Sequence, residues 1–250
     1  MTSVRRPAVA GTFYPEDPDE LLAVVSGLLE RAAPRTPAKA IVAPHAGYIY
    51  SGAIAASAFR CLGAGVRRVV LLGPSHFSPL RGIAAPRAEV FETPLGRIEL
   101  EAPEELPRSD APHVREHSLE VELPFLQRLL GDFQLVALAV GAAEPAQVAE
   151  ALSRLWGGPE TAIVVSSDLS HYLPYEEARR IDGETARRIE RLVPVPEGAA
   201  CGRSPLNGLL FEAARRGMRC EPLDLRNSGD TAGDRRRVVG YGAFALREAA

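Results

Sequence analysis

Three short apolar runs, each followed at once by a turn and a histidine, constrain the fold of this chain more than any other feature. The runs are AIVAP before His45, VVLLGPS before His76 and AIVVSSDLS before His171. Continuous apolar runs of this length are typical of strands buried on both faces of a sheet. Residues just past the ends of such strands line the crevice of an α/β protein. We therefore expect the three imidazole groups to share one site.

Segments with helical periodicity alternate with these strands along the chain. The predicted strands cover residues 40–43, 68–73, 135–140 and 162–166, and the segment VVGYGAFAL forms a closing strand. The predicted helices cover 18–33, 53–62, 119–130, 144–156, 175–192 and 203–216, with Pro124 either kinking its helix or marking the first turn. Residues 81–108 are expected to be irregular, apart from a hairpin around Thr93-Pro-Leu-Gly96. This pattern predicts an α/β fold, one domain over residues 1–250, with a mostly parallel central sheet flanked by helices.

The composition excludes several classes of partner. The net charge is −3 with acidic and basic residues interspersed, and without a basic stripe we expect no nucleic-acid partner. No stretch approaches the roughly 20 apolar residues of a membrane span, so we expect no membrane association. The first residues lack the apolar region of a signal peptide. The chain has 3 cysteines, an odd and sparse set that favours a reducing cytoplasm over a disulfide framework.

Two of the strand-end histidines are candidate metal ligands or proton carriers, because imidazole does both near neutral pH. His45 lies in PHAGYIYSG, whose glycines allow backbone to approach a ligand closely. His76 follows the turn at Gly73-Pro74. Each histidine taken alone also fits an ordinary loop position, but their occurrence at two strand ends favours a shared site.

Asp168 and His171 form a second candidate pair, in the segment SSDLSH. Their spacing of three residues places both on one face if the segment is a helical turn. A carboxylate beside an imidazole fixes its tautomer and raises its basicity, which suits a general base or a metal ligand. In the alternative interpretation, Asp168 only caps a helix.

Three further segments carry polar groups of interest. Glu116 and His117 open an amphipathic helix, and their side chains could face the cleft. In the alternative interpretation, the carboxylate only complements the helix dipole. Cys201 lies just ahead of a helix, where we expect a lowered thiol pKa and a better metal ligand or nucleophile. His113 has irregular polar neighbours and is expected at the surface. Cys61 and Cys220 fit small core residues.

Seven separated segments together resemble the Memo family, also called AmmeMemoRadiSam system protein B. They occur in the family's order and span nearly the whole chain. The segments are RPAVAGTFYP, APHAGYIYSG, LLGPSHF, EHSLEVELPFLQ, SSDLSHY, CGRSP and NSGDTAGDRRRVVGYGAFAL. Agreement over all seven is far more specific than any one of them.

The resemblance implies a fold similar to the class III extradiol dioxygenases, which are non-haem iron enzymes. It also implies a metal site of two histidines and one cysteine, which fall on His45, His76 and Cys201, with iron or copper as the ion. His171 matches the neighbourhood of the dioxygenases' acid–base histidine. Asp168 and His117 match polar positions around the same cleft.

The implied function is that of a metal-binding redox protein with a dioxygenase-like cleft for a small molecule or peptide. In a metal-dependent oxidoreductase of this kind, His171 would move a proton and Asp168 would orient it. Extradiol cleavage itself does not follow, because a cysteine in place of the usual carboxylate softens the ligand set.

Two other functions stay open. The first is a non-catalytic module that binds a peptide or a partner, with the radical-SAM and AMMECR-type proteins of the same system as candidates. The second is a hydrolase with Cys201 as its nucleophile, for which the sequence places no oxyanion hole.

Overall fold

The structure is a computed structural model, and it describes residues 2–248. Its strands are β1 (Val4–Arg5), β2 (Ala40–Ala43), β3 (Arg68–Pro74), β4 (Ile83–Ala84), β5 (Val90–Thr93), β6 (Gly96–Glu99), β7 (Gln134–Val140), β8 (Thr161–Ser166), β9 (His171–Leu173), β10 (Arg219–Asn227) and β11 (Val238–Arg247). Its α-helices are α1 (Pro18–Arg31), α2 (Tyr48–Phe59), α3 (Leu123–Leu130), α4 (Pro145–Leu155), α5 (Tyr175–Glu190) and α6 (Arg203–Arg215). Short 3-10 turns cover Glu120–Glu122 and Ser228–Asp230.

The predicted α/β fold with a central sheet between helices is confirmed. The strands follow the order β10-β11-β2-β8-β3-β7-β4, and β9 pairs with β11 beside this path. The four strands β2, β8, β3 and β7 run parallel. The outer strands β11, β10 and β4 are antiparallel to their neighbours, so the sheet is less uniformly parallel than the sequence predicts.

The parallel strands form where the apolar runs predict them, because both of their faces are covered. Every residue of β2 and β8 is buried. Helices α1, α2 and α3 pack on one face of the sheet, and α4, α5 and α6 cover the other. Burial on both faces explains why these strands lack the alternation of apolar and polar residues.

A smaller sheet of order β1-β5-β6 lies beside the main one. The predicted hairpin is present, since Thr93 pairs with Gly96 at the turn between β5 and β6. The rest of residues 81–108 is less irregular than expected, because β4 adds a short edge strand to the main sheet through its pairing with β7.

The segment before α3 differs from the single helix predicted over 119–130. Residues Glu120–Glu122 form a 3-10 turn, and Pro124 lies in the first turn of α3, where its missing N–H has no helical partner to lose. Among residues 2–248, no helix combines the length and apolar character needed to cross a membrane.

A buried ion pair fixes the N-terminal segment against this turn. The Arg5 guanidinium contacts the Glu120 carboxylate, which also accepts the Tyr14 hydroxyl at 2.5 Å and the amide of Ala8 at 2.8 Å. A carboxylate buried with this many donors is well compensated for its lost hydration. The pair therefore fixes the chain just after Glu116 and His117, the two candidate site residues of this segment.

Candidate functional site

The candidate site lies at the carboxyl ends of three adjacent parallel strands. His45 follows β2, Asp168 follows β8 and His76 follows β3, and these strands are neighbours in the order β2-β8-β3. Cys201 reaches the same place from the turn before α6. The position is the one in which α/β proteins generally bind ligands.

The structure brings His45, His76 and Cys201 together. One ligand atom from each side chain lies within 4.8 Å of the other two, and His45 Nε2 is 3.3 Å from Cys201 Sγ. Transition metals bind imidazole nitrogen at about 2.0–2.1 Å and thiolate sulfur at about 2.3 Å. Two nitrogens and one sulfur at these separations fit the ligand set of a single ion.

Buried groups hold His45 from behind. Its backbone N–H donates to Asp168 Oδ1 at 2.9 Å, and its Nδ1 lies 2.6 Å from Ser166 Oγ. Burial, reinforced by the neighbouring histidines His117 and His76, lowers the His45 pKa well below its ordinary value. The ring is therefore neutral, which is the form that binds a metal.

A single carboxylate, that of Glu116, organises His76. Its Oε2 accepts the backbone N–H of His76 at 2.6 Å, and its Oε1 lies 2.9 Å from His76 Nδ1. The Ser118 amide also donates to Oε1, at 2.9 Å. Burial alone would raise the Glu116 pKa, but the hydrogen bonds from His76 and Ser118 hold it at about 2. A carboxylate on the far nitrogen of an imidazole is a common arrangement behind metal ligands.

His117 lies against this pair. Its ring stacks on that of His76 with centroids 4.8 Å apart, and is 5.3 Å from that of His45. Burial lowers the pKa of His117 to about 4. Its Nδ1 has no hydrogen-bond partner among the described residues, although Glu116 Oε1 lies 3.5 Å away. Glu116 and His117 thus lie beside His76, and the three residues form a second group of closely spaced ligand atoms.

Asp168 contacts different groups from those expected. The segment after β8 is not a helical turn, and the Asp168 carboxylate binds the His45 amide instead of the His171 ring. Its backbone also bonds to Cys201, since the Cys201 amide donates to the Asp168 carbonyl at 3.2 Å and the Asp168 amide points at Sγ at 3.3 Å. Burial raises the Asp168 pKa to about 7.

His171 is oriented by the backbone. Its Nδ1 donates to the Leu169 carbonyl at 2.8 Å, which leaves Nε2 as the acceptor. The strand β9 that carries it pairs with β11 through Val239. His171 is half-buried, and burial lowers its pKa, with a smaller contribution from His76.

The expected lowering of the Cys201 pKa is wrong. Burial, together with the nearby Asp168 carboxylate, raises the thiol pKa far above its ordinary value. These effects outweigh the helix N-terminus because the thiol contacts His45 and Asp168, in the loops after β2 and β8. The predicted surface position of His113 is also wrong, since the residue is buried with Nε2 3.0 Å from the Ala84 carbonyl. Cys61 is buried in the core as expected, and Cys220 is half-buried.

Sequence reasoning missed the polar groups beneath His45. Ser166 Oγ lies 2.6 Å from the Ser118 carbonyl and 2.8 Å from Glu122 Oε1. All three residues are buried. The signal available in the sequence was a serine ending an apolar strand and a glutamate inside the apolar run VELPF.

Comparison with known proteins places the chain in a family. A family model described as "Memo-like protein" matches residues 5–245. The chain belongs to the Memo-like family. A MEMO1 family protein of Archaeoglobus fulgidus is 33% identical over 98% of this chain and 100% of its own length. A MEMO1 family protein of Aquifex aeolicus is 37% identical over 95% of this chain and 97% of its own. In this Memo-like chain, all seven segments that carried the resemblance fall within or overlap the matched range.

Proposed function

We propose that this Memo-like protein binds one iron or copper ion through His45, His76 and Cys201 and carries out redox chemistry on a small molecule in the cleft. The observation that carries the proposal is the 3.3 Å separation of His45 Nε2 from Cys201 Sγ, with a His76 nitrogen in the same cluster. Iron or copper would supply one-electron chemistry there, and the thiolate favours Cu(I) or a changed iron potential.

Groups behind the ligands support this assignment. The Nδ1 atoms of His45 and His76 are already held by Ser166 and Glu116, so the Nε2 atoms are the ones free to bind an ion. Asp168 positions the backbone of His45 and Cys201 together. Metal ligands in proteins are usually held by such partners, and loss of a partner weakens metal binding.

His171 is the group we assign to proton movement. Because its Nδ1–H is committed to the Leu169 carbonyl, its Nε2 is available to accept a proton from a bound molecule. Its lowered pKa keeps the ring neutral near pH 7, as a general base requires.

Exposed aromatic rings beside the histidines favour an organic molecule as the bound substrate. Phe77 is 52% exposed and lies 5.7 Å from the His117 ring, and Tyr172 is 62% exposed beside His171. The same rings suit the alternative function, a non-catalytic module that holds a peptide or a radical-SAM or AMMECR-type partner. The three free cysteines fit a reducing cytoplasm, which we propose as its location.

Metal analysis tests the proposal. Protein prepared without oxygen is measured by mass spectrometry for bound metals, then titrated with Fe(II) and, separately, Cu(I). We expect one equivalent of one of these ions, lost in His45→Ala and Cys201→Ser. Cys220→Ser is the matched control, because this thiol lies on β10 outside the cluster, and it is expected to bind as the wild type does.

Two results would count against the proposal. One is a wild-type protein that binds neither ion, and the other is equal binding by Cys201→Ser. Capture of a peptide or of a partner from the same system that survives His45→Ala would favour the non-catalytic module.

A further inference from the structure

The Ser166 hydroxyl meets more hydrogen-bonding partners than one hydrogen can serve. Its Oγ lies 2.6 Å from the Ser118 carbonyl oxygen, 2.8 Å from Glu122 Oε1 and 2.6 Å from His45 Nδ1. A serine hydroxyl has one hydrogen to donate and two lone pairs that accept. Three contacts at these distances therefore fix which partner donates and which accepts.

The carbonyl decides the arrangement, because a backbone oxygen can only accept. Two oxygens 2.6 Å apart without a hydrogen between them repel each other, so the Ser166 hydrogen lies on the line to Ser118. The two remaining contacts must then donate to Ser166. His45 donates from Nδ1–H, and Glu122 donates from Oε1–H, which requires a protonated carboxyl group.

The surroundings of Glu122 agree with a neutral acid. The residue is 0% exposed, and its other oxygen, Oε2, has no hydrogen-bond partner among the described residues. Within residues 2–248, no arginine, lysine or histidine lies in salt-bridge contact with it. A buried carboxylate with neither a cation nor a full set of donors is very costly, whereas a neutral carboxyl is tolerated. Burial correspondingly raises the Glu122 pKa well above its ordinary value.

We infer that Glu122 is a permanently neutral buried acid that acts, through Ser166, as a positioning residue for His45. Because Glu122 donates to Ser166 Oγ, the Ser166 hydroxyl keeps donating its own hydrogen to the Ser118 carbonyl. His45 is then held as its Nδ1–H tautomer. The Nε2 lone pair then points toward Cys201 Sγ, 3.3 Å away. The role in metal binding rests on the proposed function, but the protonation state and the tautomer are properties of the metal-free protein.

Infrared spectroscopy tests the protonation state. The difference spectrum between the metal-free wild type and Glu122→Gln at neutral pH is expected to show loss of a protonated carboxylic-acid carbonyl band. Glu212→Gln is the matched control, because Glu212 is equally buried but pairs with Arg215 and Arg216, so its variant is expected to lose carboxylate bands only. Loss of carboxylate bands in Glu122→Gln would overturn the inference.

Nitrogen NMR of the His45 ring tests the tautomer. We expect Nδ1–H in the metal-free wild type and in Glu122→Gln, because the glutamine amide can still donate to Ser166. A mixture of tautomers is expected in Ser166→Ala, which has lost the acceptor. Nε2–H in the wild type would overturn the inference, and this measurement needs no variant that folds poorly.

Fe(II) titration tests the link to the metal. Ser166→Ala is expected to bind Fe(II) about 10- to 100-fold more weakly, as for other partners of metal-ligating histidines. The control Ser57→Ala, on α2, is expected to bind as the wild type does. Unchanged affinity in Ser166→Ala would refute the positioning role. A wild type that binds no metal would instead refute the proposed function and leave the infrared and NMR results standing.

Discussion

At the scale of single residues, the site depends on hydrogen-bond acceptors that orient the candidate metal ligands, and not on those ligands alone. Glu116 shows this most directly, since one carboxylate holds the ring and the amide of His76 together with the amide of Ser118. The His76 loop is otherwise at the open side of the cluster, with 29% of the side chain exposed. Its conformation is therefore set by Glu116 more than by packing.

This dependence gives a prediction for Glu116→Gln. An amide has one acceptor oxygen and cannot serve donors on both of its arms, so His76 loses either its ring contact or its backbone contact. We expect Fe(II) affinity to fall about 10- to 100-fold, measured by anaerobic titration. Glu101→Gln is the control, because Glu101 pairs with Arg68 at the start of β3, the end away from the site. Equal affinity in the two variants would contradict this role.

At the scale of elements, the position of Cys201 depends on how closely α6 approaches the end of β8. Gly202 begins that approach, and a Cβ there would lie 2.7 Å from the Ser166 carbonyl oxygen and 2.6 Å from Ser167 Cβ. Backbone and a short side chain cannot move aside as a long flexible chain can. Only glycine therefore fits between the two elements.

Gly202→Ala is expected to displace the Cys201 turn from His45 without removing any ligand atom. We expect weaker binding of Cu(I) and Fe(II) in competition titrations, with the far-ultraviolet spectrum unchanged. Gly217→Ala is not a suitable comparison because its φ is +66°, so Gly65→Ala, with open space around its Cβ, is the control. If Gly202→Ala bound Cu(I) and Fe(II) as tightly as the wild type, the close approach of α6 to the end of β8 would not be needed for metal binding.

The strands β2, β3 and β8, which lead to His45, His76 and Asp168, were predictable, whereas β9, which carries His171, and the contacts between segments were not. Apolar runs that are buried on both faces identify the strands, and strand ends identify His45 and His76 because parallel strands end at the same edge. The edge strand β10 was missed because its sequence, RCEPLDLRN, carries charges and a proline and is only partly buried. His113 contacts Ala84, and Cys201 contacts His45 and Asp168 in the loops after β2 and β8. Such contacts between distant segments leave no local pattern in the sequence.

At the scale of the whole molecule, several histidines are neutral because they are buried, and this links stability to pH. His113 is the clearest case, since it lies apart from the candidate ligands. Burial lowers its pKa from 6.5 to about 4 despite the hydrogen bond to the Ala84 carbonyl. The unfolded chain therefore takes up a proton on His113 at a higher pH than the folded protein does. Stability from this residue falls as the pH drops from about 6.5 to about 4, and changes no further below that.

His113→Gln tests this linkage in metal-free protein. The glutamine amide can still donate to the Ala84 carbonyl but takes up no proton. The His113→Gln protein is therefore expected to lose less stability on acidification than the wild type does. The difference between the two proteins should grow to about 3 kcal/mol across this pH range, measured by urea unfolding at a series of pH values. Asp168 titrates in the same pH range in both proteins. The decisive quantity is therefore the difference between their free energies of unfolding at each pH, and not either curve alone. Parallel stability curves for wild type and variant would show that His113 keeps an ordinary pKa in the folded protein.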